Sequence, residues 1–366
     1  IEEIVGFRMS IYYILLTLLI SFCVGLFFCR LKVPGGMLVG GIIGAAILNI
    51  IWDIAYIPKV GKIFAQSMAG AFIGSSVKKN ELGEMRRIAK PAAILLGSYL
   101  IMNLLMGWLL YTVSPISAAT AWFSAVPGGI NDIPLIAADM GANAPQVAIL
   151  QFVRLVIGVG VFPGMIQWFC RNKENSDTPS VSSETSSQAD TATTASAKPK
   201  KKIHFWITMG VAFVCGMIGN VTGIPAGILV FALAGTIVLN LTWGKAFLPP
   251  KVKRFAQLFS GAYIGCSIGW DDVLQLRYLI LPAILITAGY TTFCVLCGHA
   301  LQRFCKMSPK EAMLAATPAG ASDMALISMD LGVQSTDLVL LQVLRLIVVS
   351  SLFPQVIQIV LFLLPS

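Results

Sequence analysis

Two segments of this 366-residue chain place helix-breaking residues beside an acid. "PGGIND" runs from Pro127 to Asp132, and "PAGASD" runs from Pro318 to Asp323. Both lie between strongly apolar stretches, where an aspartate at the bilayer centre costs about 2.5–3.5 kcal/mol on insertion. Backbone that is not helical is tolerated at that depth only where it is buried in protein or lines a watery cavity. Breaker and acid together therefore predict a small polar site.

The residues around each break supply the candidate ligands of that site. Broken helices present N-termini to anions and carbonyl groups to cations. A Gln and an Arg with i, i+3 spacing follow each break and share one helix face. Each Asp either binds an ion or pairs with an Arg as a structural lock, and each Arg, which stays charged, either pairs with an acid or holds an anionic substrate. The candidate solute and ion ligands are Gly128, Gly129, Asn131, Asp132, Gln151 and Arg154 in the first half of the chain, and Gly320, Ser322, Asp323, Gln342 and Arg345 in the second.

The residues that metal or covalent catalysis needs are scattered in this sequence. The chain has eight cysteines and two histidines, His204 and His299, which are far apart. Cys294 and Cys297 form a CxxC inside an apolar stretch without a partner pair. A zinc, copper or iron site requires a cluster of His, Cys or carboxylate ligands. We therefore expect no metal, no cofactor and no catalytic residue, and hence no enzyme.

Composition indicates a polytopic membrane protein. Hydrophobic residues make up 57% of the chain and charged residues 12%, with a mean hydropathy of +0.81, whereas soluble proteins carry about 25% charged residues. The net charge of +9 could suggest a nucleic-acid partner. Lys and Arg mostly fall between apolar stretches, however, where they set orientation in the membrane. We expect contact with a lipid bilayer and none with nucleic acid.

The chain is one unit written twice. A shift of 191 residues aligns the two copies without a gap, and the segment between them, residues 172–202, is rich in Ser, Thr and Ala. Such a segment cannot bury a core and predicts a disordered cytoplasmic linker. We therefore predict a first membrane repeat at 1–171 and a second at 203–366. Matched pairs include Pro34 and Pro225, Asn49 and Asn240, Asp132 and Asp323, and Arg154 and Arg345.

Each repeat predicts five transmembrane helices and one re-entrant hairpin, in an all-α fold. The segment that contains the break lies outside the five spans and must enter and leave the membrane on the same side. It is therefore predicted to be a hairpin with a helix on each side of its break. The predicted hairpins are 117–141 and 311–332. The predicted spans are 10–29, 35–52, 63–77, 91–112 and 146–169 in the first repeat, and 204–221, 226–243, 254–269, 279–300 and 337–361 in the second.

Charge indicates that the two repeats lie in opposite orientations. The loop after the third span reads "KKNELGEMRRIAK" in the first repeat and "WDDVLQLRY" in the second. After the fourth span the order reverses, since "TVSPIS" has no basic residue while Arg303, Lys306 and Lys310 follow in the second repeat. By the positive-inside rule this pattern inverts one repeat relative to the other. Lys59 and Lys62 are exceptions, because this arrangement places them outside.

These residues resemble the AbrB duplication family of bacterial membrane proteins. The likeness covers nearly the whole chain and rests on the repeated "P-x-G-x-x-D" hairpin and the "Q-x-x-R-L … F-P" helix. The resemblance implies a multi-pass protein of the bacterial inner membrane, and the family is labelled a regulator of gene expression. It is also similar in plan to inverted-repeat carriers that work as elevators, which are commonly homodimers; that is an analogy of fold.

Inverted repeats with interrupted segments at matching positions favour a secondary transporter. We expect alternating access for a small, anionic solute, coupled to H⁺ or Na⁺ through Asp132 and Asp323. The alternative is a membrane sensor that controls gene expression indirectly and binds its ligand without net transport.

Overall fold

A computed structural model describes residues 2–77 except 32 and 34, 81–166 except 161 and 163, 198–318 except 245 and 247, and 335–363. All regular structure within these ranges is helical. In the first half the helices are α1 Glu2–Arg30, α2 Gly36–Trp52, α3 Lys59–Ser75, α4 Glu81–Val113, α5 Ala118–Ser124, α6 Ile133–Asp139 and α7 Ala144–Gly160. In the second half they are α8 Lys198–Val221, α9 Gly227–Trp243, α10 Pro250–Gly265, α11 Trp270–Gln275, a 3-10 turn Leu276–Leu279, α12 Ile280–Cys305, α13 Pro309–Ala316 and α14 Thr336–Leu363.

Several helices have the length and composition of membrane spans. Within the described ranges, five are long and apolar enough to cross a membrane: Ile11–Arg30, Arg87–Val113, His204–Val221, Asp272–Cys305 and Asp337–Leu363. Shorter apolar helices accompany them at Gly36–Trp52, Ala144–Gly158 and Gly227–Trp243. The all-helical membrane character predicted from composition agrees with this, while the count of ten spans stays a prediction. Helix α8 begins at Lys198, so residues 198–202 of the predicted linker are helical, and residues 172–197 lie outside the described part.

The helices assemble into two bundles, and each bundle takes helices from both halves of the chain. We call α1–α3 with α8–α10 the crossing bundle, and α4–α7 with α12–α14 the hairpin bundle. Contacts within each bundle are extensive. Between the bundles the described residues make few contacts: α14 touches α3 and α9, and α6 and α7 touch α10.

Small residues allow the close helix crossings of the crossing bundle. Helix α10 of the second half packs on α2 of the first, and α3 packs on α9. A Cβ added at Gly261 would lie 2.4 Å from the Leu38 carbonyl oxygen, and one at Gly70 would lie 2.6 Å from that of Leu229. Helices in membranes associate through such small residues, because lipid offers no hydrophobic drive between them.

The hairpin bundle has the larger apolar core. It buries aromatic side chains such as Trp122, Phe123 and Phe353 among aliphatic residues of α4, α7, α12 and α14. The two short helices α5 and α13 begin alike, because Ser117 and Ser308 each accept a hydrogen bond from the backbone N–H three residues on. This serine capping starts each broken helix at the same point of its repeat.

Candidate functional site

The first predicted hairpin has a helix on each side of its break. Helix α5 ends at Ser124, α6 begins at Ile133, and the six residues of "PGGIND" lie in the gap between them. Both helices are buried, and Pro134 lies in the first turn of α6, where its missing N–H has no partner to lose. Of the second hairpin, α13 is described up to Ala316, and its break falls outside the described residues.

Gln151 and Arg154 of α7 satisfy the carbonyl groups at the end of α5. The Gln151 Nε2 donates to the carbonyls of Phe123 at 3.0 Å and Val126 at 2.9 Å. Arg154 donates to the Val126 carbonyl and, through Nη2, to that of Gly128 at 2.7 Å. The last carbonyls of a helix have no partner within it and need one when buried. These two side chains therefore hold the break in shape and consume the carbonyl groups that could otherwise bind a cation.

A tyrosine from the other half of the chain completes this arrangement. The Tyr290 hydroxyl of α12 donates to the Ala125 carbonyl at 2.7 Å. Its ring centroid lies 5.6 Å from the Arg154 guanidinium carbon. The first hairpin is thus fastened to both halves, and the guanidinium gains a cation–π contact away from water.

The same contacts occur in the second half, at positions shifted by 191 residues. Gln342 donates to the Leu314 carbonyl at 3.1 Å, and Arg345 donates to that of Thr317 at 2.7 Å. Tyr99 of α4 donates to the Ala316 carbonyl at 2.9 Å, and its ring lies 5.8 Å from the Arg345 guanidinium carbon. The repeat seen in the sequence is therefore also a repeat of contacts. Gly320, Ser322 and Asp323, the other predicted ligands of this half, lie outside the described residues.

Part of the Asp132 carboxylate has no donor. Its side chain lies at the start of α6 and is 4% exposed. Oδ1 has no hydrogen-bond partner, and the same holds for Oδ1 of neighbouring Asn131. No ion pair joins Asp132 and Arg154, both described, so the alternative of a structural lock does not form between these two residues. Lys253 of α10 interacts electrostatically with the carboxylate. Buried acceptors without donors are rare and mark a place where a proton or cation would be favourable.

Glycine backbone surrounds the carboxylate. A Cβ added at Gly129 would lie 2.9 Å from Asp132 Oδ2, so the side chain folds against the glycine of its own break. Gly128 is equally confined, with 2.6 Å from its added Cβ to the Ile133 side chain. A larger residue at either position would therefore displace the Asp132 or Ile133 side chain.

Two groups of residues escaped prediction. Tyr99 and Tyr290 were not singled out, although their recurrence at the 191-residue shift in apolar helices was a signal for them. In the second group the residues were considered, Asp139 as a cap or ligand and Gln66 as a polar lining, but their contact was not predicted. Lys62 of α3 forms an ion pair with Asp139 of α6, and Gln66 Nε2 donates to the same carboxylate at 3.3 Å, which joins the bundles. Seventy-three or more residues separate these partners in sequence, so spacing alone could not bring them together.

The cysteines contribute packing where they are described. Cys294 is buried, with its sulfur 3.5 Å from Thr317 Oγ1 and 3.5 Å from the Met313 carbonyl oxygen. Across the described ranges, no group of three or more His, Cys, Asp or Glu side chains is arranged to hold a metal ion. Cys294 is therefore part of the contact between α12 and α13.

Comparison with known proteins finds relatives along most of the chain. The sequence model of the family described as "Transition state regulatory protein AbrB" matches residues 3–169 and 56–361. "Putative regulator AbrB" of Escherichia coli (strain K12) is 23% identical over 330 residues, which cover 89% of this chain and 90% of that protein. "Uncharacterized protein YhjN" of Bacillus subtilis (strain 168) is 22% identical over 296 residues, covering 79% and 76%. The similarity therefore extends over both halves.

Proposed function

The chain belongs to the family described as transition state regulatory protein AbrB, and from this premise we propose that it is a secondary active transporter of the bacterial inner membrane. It carries a small, anionic solute, coupled to H⁺ or Na⁺. Its partners are that solute, the coupling cation, the bilayer and a second copy of the chain. It is not an enzyme and binds no nucleic acid.

The Asp132 carboxylate is the observation that carries this proposal. It is buried at a helix break, and its Oδ1 lacks a donor, while the nearby Gln151 and Arg154 side chains donate to backbone carbonyls. A buried carboxylate is expensive unless a proton or cation neutralises it. A carboxylate that gains and loses a proton or cation is suited to coupling the movement of that ion to the movement of the solute. Asp323 takes the equivalent role by its position in the repeat.

The repeated contacts support two halves that are related by an approximate two-fold symmetry. Each Tyr–Arg–Gln group joins a break of one half to a helix of the other, and each group occurs at the same shift. Combined with the charge reversal of the loops, this favours inverted repeats whose breaks meet near the membrane midplane. The few contacts that the described residues make between the bundles favour a hairpin bundle that moves against the crossing bundle.

The anionic preference rests on the charge around the breaks. Arg154 and Arg345 are buried at 4% and 2% exposure and interact electrostatically with each other. Although both donate to backbone carbonyls, their charges remain, and Lys253 adds a third. A site with this field attracts anions.

The test is ion-driven uptake in proteoliposomes. A panel of small carboxylates and inorganic phosphate is presented with an inward Na⁺ or proton gradient, and charge movement is recorded. We expect one class of anion to produce a gradient-dependent signal that Asp132→Asn, alone and with Asp323→Asn, abolishes. Asp337→Asn, which removes a half-exposed carboxylate of α14, should keep the signal. Uptake that is unchanged in the double variant would refute coupling through these acids.

The second candidate is a membrane sensor that controls gene expression indirectly. The description of the family and the name of the Escherichia coli relative favour it. A sensor would show ligand-induced thermal stabilisation that is independent of Na⁺ and pH and survives the Asp132→Asn change, with no flux in the same preparation. A transporter would show both stabilisation and flux, so one sample separates the two functions.

A further inference from the structure

A cluster with one positive charge and one negative charge joins the two bundles away from the helix breaks. Lys62 of α3 pairs with Asp139 at the end of α6, and Gln66, one turn along α3, donates to the same carboxylate. Lys62 and Gln66 are 7% and 1% exposed. Tyr263 of α10 faces the pair, with its ring centroid 5.7 Å from Lys62 Nζ.

Asp139 also forms part of the wall of a polar cavity of about 420 Å³. The rest of the wall comes from the connection between α8 and α9, including Asn220 and Pro225, and from Gln358 of α14. The side chain of Asp139 is 36% exposed, whereas the Lys62 side chain behind it is 9% exposed. A solute or ion in this cavity therefore meets the carboxylate first. The cavity has room for several waters.

Gln66 presents an acceptor that its surroundings leave unused. Its Nε2 donates to Asp139, but its Oε1 is buried and has no hydrogen-bond partner. The cluster thus contains a carboxylate, one ammonium group as its cation, and an amide whose Nε2 faces the carboxylate. If the Gln66 amide turns over, its Oε1 faces the carboxylate as a second oxygen ligand. Carboxylate, amide carbonyl and water oxygens are the ligands that hard metal cations select.

We propose that Asp139 and Gln66 form a binding site for a monovalent metal cation, and that the Lys62 ammonium occupies the place of that cation in this structure. The Lys62 ammonium is a compact charge on a flexible stem and can withdraw. A cation entering from the cavity then replaces it, with waters completing the coordination shell, so that Asp139 keeps a positive partner throughout.

The exchange changes what links the bundles. Lys62 belongs to the crossing bundle and Asp139 to the hairpin bundle, so their ion pair ties the two bundles together. A metal ion bound by Asp139 is not covalently attached to the crossing bundle, so the two bundles can then move relative to each other more easily. This consequence for movement rests on the proposed function. Cation binding itself does not, because it can be measured without any transport.

The experiment uses the purified full chain and its Lys62→Met variant. Thermal unfolding is recorded in NaCl and in choline chloride at equal ionic strength. Without the ammonium, Asp139 should bind Na⁺ from solution, so we expect the variant to melt roughly 2–4 °C higher in Na⁺ than in choline. Wild type should show a smaller difference, because Lys62 competes with Na⁺.

Two further variants decide the assignment. Adding Asp139→Asn to Lys62→Met should remove the Na⁺-specific shift, and a shift that survives would overturn the site. Arg87→Met, which breaks an exposed ion pair with Asp337 inside the hairpin bundle, should behave as wild type. If Lys62→Met does not fold, Lys62→Gln replaces it, and equal melting in Na⁺ and choline then counts against the proposal. Ion-driven uptake that is unchanged in the Asp132→Asn and Asp323→Asn double variant, with this Na⁺ response intact, would reject the proposed function alone.

Discussion

At the residue scale, Arg154 is placed to complete a helix end. Its guanidinium donates to two carbonyls of the break, at Val126 and Gly128, and lies against Tyr290. Replacement by Met fills similar volume but leaves the Gly128 carbonyl unpaired, at roughly 1–3 kcal/mol, and removes one of the two donors to the Val126 carbonyl, which keeps Gln151 Nε2. We therefore expect Arg154→Met to lower the free energy of unfolding by a few kcal/mol, as measured by thermal or SDS-induced unfolding in detergent. Arg345→Met should cost a similar amount.

The control for that change is Arg87→Met. Arg87 is also a cation of the hairpin bundle, but 65% of its side chain is exposed and its ion pair with Asp337 lies in contact with solvent or headgroups. Exposed ion pairs contribute about 0–1 kcal/mol. If Arg154→Met and Arg87→Met unfold alike, the capping role of Arg154 is wrong.

Sequence predicted that Gln151 and Arg154 share a helix face, but not which partners they contact. The i, i+3 spacing of Gln151 and Arg154 predicted that both would face one surface, and both do reach the same break. Spacing could not distinguish a carboxylate partner from a backbone carbonyl, because both accept from a guanidinium. Gln151 and Arg154 donate to backbone carbonyls because the end of α5 lies close to α7 and places several carbonyls within their reach.

At the element scale, glycine determines how closely helices of the two halves approach. Gly261 of α10 faces the Leu38 carbonyl of α2, and an added Cβ would lie 2.4 Å from that oxygen. The crossing must open to accept a methyl group there, and overpacking costs about 1–3 kcal/mol. We expect Gly261→Ala to destabilise the chain by that amount in thermal unfolding, and Gly70→Ala to do the same at the crossing of α3 and α9.

Gly97 provides the matched control. It is a glycine in the interior of α4, and an added Cβ would meet nothing within 4 Å. Because Ala favours helix by about 1 kcal/mol over Gly, Gly97→Ala should be neutral or mildly stabilising. Destabilisation of equal size at Gly97 and Gly261 would show that helix propensity, and not the crossing, controls the result.

Helix positions were accessible from sequence, whereas helix partners were not. The predicted spans 35–52 and 226–243 match α2 and α9 within one residue at each end, because apolar runs bounded by Gly, Pro and polar residues define them. Helix α2 packs on α10, and α3 packs on α9. These pairings depend on how the surfaces of the helices fit together in three dimensions. Glycines in a helix indicate that another helix packs closely against it, but the sequence repeat does not identify that partner helix.

At the scale of the whole molecule, the orientation of the halves can be read from one pair of equivalent loops. The loop after α4 has no basic residue, while Arg303, Lys306 and Lys310 surround the end of α12. Positive residues remain cytoplasmic. We expect alkaline phosphatase inserted after Pro115 to be active and green fluorescent protein there to be dark, with the reverse after Met307. The same reporter behaviour at both positions would contradict inverted halves.

The two bundles also predict that neither half folds without the other. Each bundle draws helices from both halves, and the contacts of α2 with α10, of α3 with α9, and of Tyr290 with Ala125 all cross between them. Residues 1–171 or 203–366 expressed alone would expose the glycine faces and leave buried carbonyls of the breaks without donors, so each fragment should be degraded.

Expressed together, the tagged first fragment should retrieve the second from detergent-solubilised membranes, because the crossings hold without the linker. Gly261→Ala in the second fragment should reduce that recovery and Gly97→Ala in the first should not. Stable accumulation of either fragment alone would mean that each half is a fold in itself, and the two-bundle architecture would then have to form by docking of finished halves.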